Sequence, residues 1–136
     1  MDEFEENNST WNDQPLNRGD ILFVDMGIQP KGSIQGGLRP VVVISNNLAN
    51  KFSPVVTVVP LSTKIKKKRN LPTHVFVPVS EGNGLGVNSI ALGEQVTALD
   101  RSRIIEKLGT VDETTLIRIT EAVKIQVGVY NKYNRQ

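Results

Sequence analysis

The sequence predicts a mainly β fold, a small antiparallel barrel packed against one C-terminal helix, and three observations lead there. Short runs rich in β-branched residues recur between Ile21 and Ala98, separated by Gly, Pro, Asn and Ser. No helical period interrupts them, so there is no crossover helix of the kind a parallel sheet needs. A period of 3.6 appears only after Gly109, where Leu116, Ile119, Val123 and Val127 fall on one face.

Taken in order, Ile21-Leu22-Phe23-Val24 reads as the first strand, followed by a loop holding Pro30, Gly32, Gly36 and Gly37. Val41-Val42-Val43-Ile44 is the second, with Ser45-Asn46-Asn47 as its turn, and Val55 to Leu61 the third. Lys64-Ile65-Lys66-Lys67-Lys68-Arg69 places five like charges in six positions, a pattern that self-repels and stays solvated. His74 to Val79 alternates as a strand does, Glu81 to Gly86 is a turn-rich loop, and Ser89 to Ala98 supplies one or two further strands around Gly93. Six short strands result, and Asp112 is a suitable N-cap for the helix.

A length of 136 residues fits a single domain. Residues 1–17 read as an acidic flexible tail with order beginning near Arg18, residues 18–130 as the functional domain, and residues 131–136 as a C-terminal tail. The composition, 38% hydrophobic and 22% charged, is that of a soluble globular protein. No apolar run approaches a membrane span and the first residues are acidic, so a cytoplasmic location is expected. With no cysteine and one histidine, thiol nucleophiles and cysteine metal sites are excluded, and neither a metal nor any other cofactor is expected. Chemistry must come from oxygens, amides and guanidinium.

Net charge is +2, but the first 14 residues carry five carboxylates and no base, leaving 16 basic against 9 acidic groups in the body. Such a body attracts polyanions, nucleic acid among them. The tail, with Phe4 and Trp11 among its carboxylates, has a composition suited to visiting a basic groove of its own protein.

The segment Gly32-Ser33-Ile34-Gln35-Gly36-Gly37-Leu38-Arg39-Pro40 leaves two readings open: a hairpin loop with a solvated arginine, or a backbone-lined anion site whose arginine clamps a phosphate. It lacks the spacing of a P-loop or a dinucleotide fingerprint.

That segment forms part of a longer ordered set. It comprises Arg18-Gly19-Asp20 to Asp25, Gly32 to Asn46, Pro60-Leu61-Ser62-Thr63, Leu71-Pro72-Thr73-His74, Glu94-Gln95-Val96 and Asp100-Arg101-Ser102-Arg103. The whole resembles the MazF/PemK/Kid family of toxin endoribonucleases, from Arg18 to about Gly128. The resemblance implies an SH3-like barrel of the MazF/PemK/CcdB kind and a homodimer. It also implies metal-independent, sequence-selective cleavage of single-stranded RNA (mRNA) by 2′-hydroxyl attack, a cognate antitoxin protein as partner, and contact with DNA only indirectly through that antitoxin. The competing function is a non-enzymatic relative, either an RNA-binding module or a CcdB-like toxin that inhibits a topoisomerase.

By the same resemblance Arg39 occupies the catalytic arginine position, as an oxyanion clamp, and Ser62 stands where the family usually has a catalytic threonine. Gln35, Gly36, Asn46, Thr63, His74, Ser89, Glu94 and Gln95 match positions that line the RNA groove. On chemistry alone His74 is equally a strand histidine satisfied by a neighbour, and Phe52 either stacks on a base or packs in a loop. Lys64 to Arg69 are suited to holding phosphates, whereas Arg101 and Arg103 read as dimer or structural contacts. Ile34 departs from the pattern, because the family commonly carries a carboxylate there.

Overall fold

The structure is a computed structural model that describes residues 11–28, 32–64 and 71–129. Seven strands form one antiparallel sheet: β1 (Asp20–Asp25), β2 (Leu38–Val43), β3 (Val55–Ser62), β4 (His74–Val77), β5 (Ser89–Leu92), β6 (Thr97–Asp100) and β7 (Ile104–Thr110). The hydrogen-bonded order is β4-β5-β3-β2-β1-β7, and β6 pairs with the first half of β3. A short helix α1 (Asn47–Phe52) joins β2 to β3, and α2 (Glu113–Gln126) ends the fold.

Alternation along each strand divides the core in two, since successive side chains point to opposite faces. Ile21, Val42, Val59, Leu61, Val75, Val77 and Ala91 face α2, which buries Ile119 and Ala122 against them. Leu22, Val24, Val41, Val43, Val56 and Val58 face the other way, where the sheet curls over them and Leu99 and Ile104 complete the cluster.

The ladder is not closed between β4 and β7 among the described residues. Instead the β4–β5 loop lies against β7, with Thr110 N donating to the Gly82 carbonyl at 3.0 Å. The approach is so close that a Cβ on Gly109 would stand 2.3 Å from that oxygen. Barrel-like closure therefore depends on a missing side chain.

The C-terminal helix forms as the sequence predicts, with Asp112 Oδ1 accepting from Thr115 N at 2.9 Å. Its buried stripe is shifted, however. Ala122 is 2% exposed while Val127, expected on the core face, is 61% exposed because it is the C-cap, where the helical path ends. The predicted turn at Ser45-Asn46-Asn47 is the start of α1: Asn46 Oδ1 accepts from Ala49 N at 2.8 Å. A seventh strand, β7, adds to the six expected.

The packed chain also begins earlier than Arg18. Leu16 is 3% exposed and Trp11 packs with Met26 against the second cluster. Arg101, 4% exposed, donates to the carbonyls of Trp11, Gln14, Ser53 and Asn50, which makes it a structural arginine. Trp11 is thus held in the fold. Phe4, Ile65 to Arg69 and the tail 131–136 lie outside the described residues.

Candidate active site

The face turned away from α2 is buried over most of its length. Val41 pairs with Pro60, and extending that register by two residues sets Arg39 opposite Ser62. Ser62 in turn pairs with Ile90, and Ile90 with Phe76. Directly opposed residues project to the same side of a sheet. Arg39, Ser62, Ile90 and Phe76 therefore form one cross-strand row at the mouth of the curl.

Within this row Arg39 is pre-positioned. Its Nε donates to the Gly36 carbonyl at 3.0 Å and one terminal nitrogen to the Leu61 carbonyl at 3.1 Å. A guanidinium has five N–H groups, so donors remain for a ligand. Burial lowers the Arg39 pKa from its ordinary value, yet a guanidinium remains a cation at neutral pH.

Ser62 closes β3 and is 4% exposed. Its Oγ accepts from Lys64 N at 3.2 Å, which orients the hydroxyl and leaves its proton to donate. Thr63 follows on the exposed side.

The side chain of Gln95 ties down the glycine-rich loop at two points. Gln95 Oε1 accepts from Gln35 N at 2.7 Å, while Gln95 Nε2 donates to the Ser33 carbonyl at 2.7 Å. Gly37, at φ +75°, gives the turn by which its N–H reaches the Gly27 carbonyl at 2.8 Å. The loop borders a cleft of about 340 Å³ lined by Ile34, Gln35, Pro60, Gln95, Thr97 and Arg103, among others. Ile34, 65% exposed, brings an apolar side chain to this rim.

Beside the row, Glu94 accepts from Thr73 Oγ1 at 2.8 Å and pairs with His74 Nε2 at 2.9 Å. Burial pushes the Glu94 carboxyl up, but the hydrogen bonds from His74 and Thr73 outweigh it and hold the group below the usual carboxylate range. The His74 side chain is 5% exposed, which is the geometry of a strand histidine satisfied by its neighbour.

The structure thus gathers Arg39, Ser62, Thr63, Gly36, Gln35 and Gln95, with His74 and Glu94 adjacent. Two residues expected in the groove are elsewhere. Asn46 caps α1 beyond the far end of β2, roughly 20 Å from Arg39 along the strand. Ser89 is 2% exposed, points to the α2 side and donates to the Val87 carbonyl at 3.0 Å. Phe52 is also remote, exposed on α1 with Lys51 Nζ 5.5 Å from its ring centre. Sequence reasoning missed Phe76, although the alternation of His74-Val75-Phe76-Val77 already put it on the face of His74. Among the described residues no group of three or more His, Asp or Glu is assembled to hold a metal ion.

Comparison with known proteins agrees with the fold. The family model of the PemK-like, MazF-like toxins of type II toxin-antitoxin systems matches residues 17–127. An endoribonuclease MazF from Staphylococcus epidermidis is 38% identical over 116 residues, covering 85% of this chain and 94% of that one. Among solved structures, MazF from Deinococcus radiodurans superimposes with a TM-score of 0.71 at 25% identity, covering 85% of this chain and 99% of that one. A mycobacterial endoribonuclease in complex with its cognate antitoxin gives a TM-score of 0.69 at 24% identity, over 85% and 98% of the respective chains. The protein belongs to the PemK-like, MazF-like family of toxins of type II toxin-antitoxin systems.

Proposed function

We propose that this chain is the endoribonuclease toxin of a toxin-antitoxin pair and cleaves single-stranded mRNA at selected sequences without a metal. The observation that carries the reading is that Arg39, partly buried with donors to spare, is fixed on the Leu61 carbonyl next to the oriented hydroxyl of Ser62. The endoribonuclease name of the similar Staphylococcus epidermidis protein supports it over a topoisomerase-directed toxin or a non-enzymatic RNA-binding module.

In this reaction the ribose 2′-oxygen forms a bond to the adjacent phosphorus, the 2′-proton is released, and the bond from phosphorus to the 5′-oxygen breaks. The products are a 2′,3′-cyclic phosphate and a 5′-hydroxyl, the leaving oxygen taking up a proton. Negative charge grows on the non-bridging oxygens, and fixed donors aimed at that charge supply most of the catalysis. Arg39 is the fixed fork, held by two carbonyls, and Ser62 a second donor. Gln95 keeps the glycine-rich loop and its backbone N–H groups in place.

The protein acts as a homodimer, and its partner is an acidic antitoxin segment that competes with RNA for the basic body. DNA is contacted only through that antitoxin. A comparable toxin-antitoxin complex in the mycobacterial relative supports the partner. The test is incubation of the full chain with a long single-stranded RNA in excess EDTA. Internal cleavage with 2′,3′-cyclic phosphate and 5′-hydroxyl ends is expected. Products with 5′-phosphate, or cleavage only after a divalent ion is restored, would overturn the proposal.

A further inference from the structure

We infer that Phe76 is a stacking platform for an RNA base close to the scissile phosphate, an inference that rests on the endoribonuclease reading. The side chain is 46% exposed in the middle of a four-residue strand whose neighbours Val75 and Val77 are buried under α2. An aromatic ring so exposed on a rigid strand loses little freedom when it binds. Its position is specific: Phe76 pairs with Ile90 and Ile90 with Ser62, so the ring and the hydroxyl lie on the same face, two strands apart. At about 4.8 Å between neighbouring strands, that separation is roughly 10 Å, within reach of a nucleotide beside the reacting one. Ile90, partly buried between them, gives the row an apolar floor.

No other aromatic among the described residues stands in this cross-strand row. Trp11 packs against the second core cluster, Phe52 stands on α1, and Phe23 alternates with Leu22 and Val24 toward the α2 side. The charged end of the row, Arg39, takes a phosphate, and the apolar end offers a π-face to a base splayed from the strand. Proteins bind single strands by this combination of cation and aromatic platform.

The experiment measures binding of a fluorescent, mixed-sequence single-stranded RNA to the full chain and to variants, with cleavage followed on the same RNA. Phe76→Ala should weaken binding about 5- to 100-fold, the equivalent of one stacked base. Phe76→Leu should weaken it similarly, whereas Phe76→Tyr and Phe76→Trp should bind as the wild type does. Thermal unfolding should be nearly unchanged in all four, because the ring is exposed. Equal affinity of the wild type, Phe76→Ala and Phe76→Leu would overturn the platform, even if the wild type cleaves the RNA. If the wild type binds without cleaving, the endoribonuclease reading fails, and the same affinity comparison still decides the role of Phe76. Absence of any RNA binding would overturn both.

Discussion

Arg39→Ala is expected to lower the rate of RNA cleavage by about 10²–10³, the usual cost of removing one fixed donor to a developing oxyanion. The fold should survive. The substitution takes donors from the carbonyls of Gly36 and Leu61 at the open mouth of the sheet, where water can replace them. Arg39→Lys keeps the charge but loses the planar fork, so it should recover only part of the rate. Ser62→Ala should also slow cleavage, and Ser62→Thr should retain or raise the rate, since the hydroxyl stays and the added methyl restricts its rotamer. Single-turnover rates on one RNA, with circular dichroism as the control for folding, decide each case. A fully active Arg39→Ala variant would remove this arginine from the chemistry.

Arg101→Met is expected to have the largest effect on stability. The guanidinium is buried and satisfies four main-chain carbonyls, belonging to Trp11, Gln14, Asn50 and Ser53. Methionine retains much of the apolar volume and supplies no donor, so several carbonyls are left buried and unpaired, each costing about 1–3 kcal/mol. With some relief from water, the loss should be roughly 3–5 kcal/mol, and Tm should fall by about 10–20 °C in a domain of this size. Residues 11–16 lose their anchor at the same time. Trp11 is the only tryptophan in the chain, so its emission should shift to the red well below the unfolding midpoint. A Tm within about 1–2 °C of the wild type with unshifted emission would refute the assignment of Arg101 as the anchor of this arm.

Sequence pattern revealed those elements whose pattern is local. The β-branched strands and the helix capped by Asp112 are legible because alternation and a side-chain cap act over a few residues. β7 was not, because it pairs only with β1 and through two register shifts, so Ile104 is buried while Ile105, Glu106 and Lys107 are exposed and no clean alternation remains. The arm from Trp11 to Leu16 was equally hidden, since main-chain carbonyls gathered by an arginine nearly ninety residues later leave no periodic signal.

The same distinction holds at the site. Arg39, Ser62 and the glycine-rich loop were recognised as a string of residues, but the row from Arg39 through Ser62 and Ile90 to Phe76 exists only once three ladders fix their registers. Gln95 was expected to face RNA, and what no local pattern showed is that its amide straps Ser33 and Gln35. Asn46 and Ser89 have suitable chemistry, yet chain direction and strand parity carry them away from the cluster.

In the proposed reaction the nucleophile is the substrate's own 2′-hydroxyl, and the protein contributes charge stabilisation. The most direct measurement uses two RNA oligonucleotides spanning a mapped cleavage site, identical except for a single 2′-deoxy substitution on the 5′ side of the scissile phosphate, incubated with the wild-type chain in EDTA. The all-ribose strand is expected to be cut to a 2′,3′-cyclic phosphate while the substituted strand binds and stays intact at that position. Cleavage of the substituted strand at the same bond would contradict this mechanism.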